Sequence, residues 1–128
     1  MNNIPNNIIK IPCNSENIIK FWLNFMNPFF KLCPSELATV NFLIKKRFEL
    51  LEKINDINIV NNILMSADIR KEIKNTLNYS IPFISTTFKS LRNKQVIING
   101  VLNPKVIPNI TKLDKFNLMI IFDFNENK

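Results

Sequence analysis

The chain carries almost none of the side chains that enzymes use to move protons or electron pairs. Histidine is absent, so no imidazole is available as a base. The two cysteines, Cys13 and Cys33, form no CxxC pair and have no His to activate them. They are also too few to hold a structural zinc. Asp56, Asp68, Asp114 and Asp123 are scattered, with no D-x-D or paired-Glu spacing. Gly100 is the only glycine, which rules out a Gly-rich phosphate loop. The residues therefore predict no enzyme, no metal and no cofactor. Both thiols are expected to be free and buried, acting as small hydrophobes.

What remains is a run of cations and hydroxyls: Arg70, Lys71, Lys74, Ser85, Thr86, Lys89, Arg92 and Lys94, followed by Asn99-Gly100. Lys and Arg neutralise phosphates, while short hydroxyl side chains reach base edges. The whole chain agrees in sign. Seventeen basic against ten acidic residues leave +7, a charge that attracts polyanions.

The elements that must carry these residues are readable from spacing and caps. Ser66 or Asp68 opens a helix over 67–77, with Ile69, Ile73 and Leu77 on its apolar face. Asn78 stands where a helix end wants a left-handed residue. Ser80 is a good cap for the next helix, and Pro82 fits its first turn. Ile84, Phe88 and Leu91 then share an inward face of a helix ending near Lys94. Ile81, Ser85, Lys89 and Arg92 share another, with Pro82, Thr86 and Asn93 beside it. Val96-Ile97-Ile98 reads as a strand. Asn99-Gly100 is the strongest two-residue hairpin signal, and Val101-Leu102 returns before Asn103-Pro104.

Upstream, Cys33-Pro34-Ser35-Glu36 resembles a capping box and starts a scaffold helix running to about Lys53. Its stripe is Leu37, Val40, Ile44, Phe48 and Leu51, widened by Leu43 and Leu50. A short helix is expected from about Ile57 to Leu64 after the turn at Asn55 to Asn58. Residues 16 to 27 fit either a helix with Ile18, Phe21, Trp22 and Phe25 on one face, or a strand. Ser15 as a cap and Pro28 as a stop favour the helix. Trp22 offers an aromatic surface for core packing or base stacking. A short strand is expected at Ile8 to Ile11, an irregular basic connector from Lys105 to Lys115, and a strand from Phe116 to Phe124 that is either buried on both faces or an edge covered by another subunit.

The length, 128 residues, suits a single domain, with an arm at 1–32, a core at 33–104, and a connector and strand at 105–128. No stretch has the apolar length of a membrane span, and the N-terminus lacks a signal-peptide layout. A soluble, cytoplasmic protein is expected. Residues with A/T-rich codons dominate, and Asn supplies much of the polarity.

Leu77-Asn78-Tyr79-Ser80, the 84/88/91 core positions and Lys94-Gln95-Val96-Ile97 together resemble the winged helix-turn-helix pattern. The resemblance covers Cys33 to Pro104. It implies an α+β fold, mainly helical, with a small antiparallel sheet made of the wing hairpin and the C-terminal strand. It also implies double-stranded DNA as partner, in the manner of phage or plasmid transcriptional regulators and replication accessories. In that reading helix 81–94 enters the major groove. Ser85, Thr86 and Lys89 meet bases or groove walls. Arg70, Lys71, Lys74, Arg92 and Lys94 meet phosphates, and Asn99-Gly100 forms the wing tip. Two departures stand out. Gln95 replaces the usual Gly, and the reading helix begins with Ile81-Pro82-Phe83, where polar residues are usual. The alternative is a phage virion or assembly protein that uses a winged helix as an interaction module, as a homodimer or larger assembly.

Overall fold

The structure, a computed structural model, describes residues 11–14 and 17–108. Its elements are α1 (Ile18–Phe30), α2 (Pro34–Lys53), α3 (Ile57–Leu64), α4 (Ala67–Leu77), α5 (Ile81–Asn93), β1 (Ile97–Ile98), β2 (Val101–Leu102) and a 3-10 turn at Pro104–Val106. The described part is thus mostly helical with one small antiparallel sheet, in which Ile97 pairs with Leu102 and Ile98 with Val101.

Each boundary has a local cause. Glu36 Oε1 accepts the Cys33 N–H at 2.8 Å, the Glu half of a capping box at the start of α2. Asp56 caps α3 by accepting the Asn58 N–H. Ser66 and Ser80 cap α4 and α5, accepting from Ile69 and Phe83. Asn78 ends α4 in the left-handed region at φ 60°. The hairpin turn holds Asn99 at φ 55° and Gly100 at φ 77°, the two positive values a type I′ turn requires.

Gln95 adopts the left-handed conformation that glycine takes most easily. Its φ is 67°, the Val96 N–H reaches Leu91 O, and the Gln95 N–H reaches Arg92 O. These two bonds make a Schellman motif that turns the chain from α5 into β1. Leu91 and Val96 bury its apolar contact.

One core joins all five helices and the hairpin. Its fully buried members include Val40, Leu43 and Ile44 of α2, Val60 and Leu64 of α3, Ile69 and Ile73 of α4, and Ile84, Phe88 and Leu91 of α5. α1 completes it through Ile19 and Leu23. The Trp22 indole N–H donates to Val106 O at 2.7 Å and ties the first helix to the segment after β2. Trp22 is therefore a half-buried structural clasp, not a free stacking platform.

Several expectations need correction. The segment is helical over Ile18–Phe30, but its buried face is Ile19 and Leu23, while Phe21 and Phe25 face outward. Pro28 does not stop α1. It lies inside the helix, which ends at Lys31 in the left-handed region. Pro28 and Asn24 are both exposed, so water can serve the Asn24 carbonyl that Pro28 cannot. Asn27 secures the end by accepting the Leu32 N–H and donating to Leu32 O. Cys13 and Cys33 are free but exposed, because one precedes α1 and the other sits at the rim of α2. Pro104–Val106 is a 3-10 turn instead of irregular connector. Ser15, residues 8–10 of the expected arm strand, residues 109–115 of the connector and the strand expected at Phe116 to Phe124 lie outside the described residues. Among the described residues, no helix is long and apolar enough to cross a membrane.

Candidate nucleic-acid interface

The α4–α5 unit positions most of the sequence-selected residues. Ile69 and Ile73 anchor α4, and Ile84, Thr87, Phe88 and Leu91 anchor α5. Helical spacing then fixes the outward sides. Arg70 and Lys74 share one flank of α4, and Lys71 lies on the adjoining outer ridge. Ser85, Lys89 and Arg92 share one flank of α5, beside the Pro82, Thr86 and Asn93 ridge. Lys71, Lys74, Ser85, Thr86, Lys89 and Arg92 are all exposed.

Arg70 brings the two flanks together. Its guanidinium lies 4.8 Å from the centre of the buried Phe88 ring, a cation–π contact. Nη1 donates to Ser85 Oγ at 3.3 Å. Packing over the ring holds the charge at the seam, and the other guanidinium donors remain for an anion at the half-exposed edge.

Among the described residues, the acidic side chains of α4 lie away from this seam. Asp68 and Glu72 lie on the opposite flank of α4, lining a groove of about 530 Å³ with α2 and α3. There Glu72 pairs with Lys46 at 2.9 Å, a contact that raises the Lys46 pKa. No Asp or Glu occurs between residues 73 and 113. Among the described residues, the α4–α5 seam therefore presents cations with no carboxylate paired to them.

Lys94 is placed differently from its sequence assignment. Its ammonium pairs with Glu36 Oε1 at 2.6 Å and donates to Lys31 O at 3.0 Å. Glu36 is only 4% exposed, and its second oxygen accepts a short bond from Ser90 Oγ. Burial pushes the Glu36 carboxyl upward. The Lys94 ammonium, the Ser90 hydroxyl and the Cys33 amide more than offset this and hold it down at about 2. The cluster fastens α2, α5 and the end of α1 together. Sequence reading missed it because Ser90 and Lys94 lie more than fifty residues from Glu36. The only local signal was the Glu36 capping position.

Hydroxyls on α5 also make local bonds. Thr86 Oγ1 donates to Pro82 O at 3.1 Å, and buried Thr87 donates to Phe83 O at 2.9 Å. Asn99 and Gly100 are exposed at the hairpin tip, and space around Gly100 is open. Among the described residues, no group of three or more His, Cys, Asp or Glu could hold a metal.

A second feature is an exposed apolar surface on α1 and the start of α5. Phe21, Phe25 and Phe29 recur every four residues along α1 and are 39%, 44% and 72% exposed. Ile81 and Phe83 in the first turn of α5 are 40% and 41% exposed. Tyr79 stands edge-on to Phe83, with ring centres 5.0 Å apart.

No known family model, curated protein or solved structure matches the chain.

Proposed function

We propose that the chain is a winged helix-turn-helix protein that binds double-stranded DNA, with α4 and α5 as the helix-turn-helix and the β1–β2 hairpin as a short wing. Its setting would be a phage- or plasmid-type transcriptional regulator or replication accessory. The observation that carries the reading is the cationic α4–α5 seam with no paired carboxylate among the described residues, and with Arg70 held against Phe88 and Ser85. α5 fits the major groove, about 12 Å wide. Arg70, Lys71, Lys74 and Arg92 neutralise phosphates on its two walls, and Lys89 reaches into the groove or its backbone. Lys94 drops out of the contact set because Glu36 already holds it. The test is fluorescence anisotropy of a labelled duplex at low salt, comparing wild type with Lys89→Ala/Arg92→Ala. Binding weakened at least tenfold supports the reading. No binding by the wild type, or equal binding by the variant, refutes it.

The Phe21, Phe25 and Phe29 stripe favours a second reading, an assembly protein in which this face meets another protein copy. Light scattering after size exclusion separates the two. A stable oligomer that Phe25→Ser/Phe29→Ser returns to monomer supports assembly, and a concentration-independent monomer counts against it.

A further inference from the structure

The first two turns of α5 carry an unusual surface for a helix placed to read bases. In helix-turn-helix docking, residues at the start of the second helix meet the base edges. Recognition of G or A there uses bidentate Arg, Lys, Asn or Gln. Residues 79–88 contain none of these and no acid. Each hydroxyl already has one partner within the protein. Ser80 caps Phe83, Ser85 accepts from Arg70, Thr86 donates to Pro82 O, and Thr87 is buried on Phe83 O. The exposed apolar residues on this side are Ile81, 40% exposed, and Pro82, with exposed Thr86 one turn after Pro82. Only thymine offers an apolar group, its C5 methyl, in the major groove of unmodified DNA.

Resting on the DNA-binding reading above, we propose that the start of α5 selects thymine by its C5 methyl, through Ile81 and Pro82 with Thr86 alongside. The ligand class is then a T-containing major-groove site, read by apolar contact while the Arg70 seam holds the backbone. Specificity and affinity are divided between different residues. Burial of one methyl is worth roughly a fourfold change in affinity, and two multiply to about fifteenfold, so a value near tenfold lies between them.

The test uses the intact protein and synthetic duplexes that differ by a single atom group. Alternating A·T duplex is compared with the same duplex in which every thymine is uracil, and a C·G duplex with its 5-methylcytosine counterpart. The expected result is about tenfold tighter binding to thymine than to uracil, and a gain when cytosine is methylated. Ile81→Ser should erase most of the thymine advantage, bringing the ratio of thymine-duplex to uracil-duplex affinity close to one. The thymine–uracil comparison needs no variant, so a misfolded Ile81→Ser protein does not remove the test. Equal binding to the thymine and uracil duplexes overturns the methyl inference while the DNA reading stands. Failure to bind any duplex at low salt overturns both.

Discussion

Replacing Glu36 by Gln probes the fastening of α2 to α5. Glu36 is 4% exposed and accepts from Cys33 N, Ser90 Oγ and Lys94 Nζ. Gln can keep an acceptor for Cys33 and still meet Ser90, but it removes the charge that Lys94 faces. The size of the effect follows from linkage. The carboxyl is lowered from 4.5 to about 2, and each unit is worth about 1.4 kcal/mol, so ionised Glu36 contributes about 3 kcal/mol. The folded value lies below the unfolded one. That stability is therefore fully present above about pH 4.5 and is lost as pH falls through about 2. Urea denaturation followed by far-UV circular dichroism should show Glu36→Gln destabilised by about 2 to 3 kcal/mol at pH 7. The gap should narrow steadily between pH 4.5 and the acid limit. A cycle with Lys94→Met should show strong coupling, because both changes break one pair. A Glu36→Gln protein within about 0.5 kcal/mol of wild type at pH 7 would refute the reasoning, as would a difference independent of pH.

Two further changes test the turns and clasps. Gln95 holds φ 67° in the Schellman motif, so Gln95→Gly should relieve left-handed strain of about 1–2 kcal/mol against a smaller unfolded-state entropy cost. A net gain of about 0.5–1 kcal/mol is expected in urea denaturation, and a loss would contradict the backbone argument. Trp22→Phe keeps an aromatic ring but removes the donor to Val106 O, leaving that carbonyl unserved by the indole. It should cost about 1–3 kcal/mol by thermal or urea unfolding. An unchanged midpoint would show that the clasp between α1 and the 3-10 turn contributes nothing.

The parts of the fold that short-range chemistry controls were legible from residue order. Asn78 and Ser80 mark the α4–α5 corner because one tolerates positive φ and the other caps. Asn99-Gly100 marks the hairpin for the first of those reasons. The stripe through Ile84, Phe88 and Leu91 marks the buried side of α5. Spacing failed on α1, where apolar residues surround the helix and the side that is buried depends on where α2 lies. It also failed at Pro28, since an exposed helix end can hydrate the orphaned carbonyl. In the candidate site, exposed Lys71, Lys74, Lys89 and Arg92 were legible as cations. Lys94 was not legible as an internal partner, because its counter-charge comes from Glu36, 58 residues away. The contact of Arg70 with Phe88 and Ser85 likewise exists only once α4 packs on α5.

If the α4–α5 seam neutralises DNA phosphates, as proposed, duplex binding must depend steeply on salt. With roughly four phosphate contacts, log K should fall against log salt with a slope of about −3.5, and Lys89→Ala/Arg92→Ala should flatten it by about 1 to 2. A slope near zero, or a steep slope that the double variant leaves untouched, would contradict the claim.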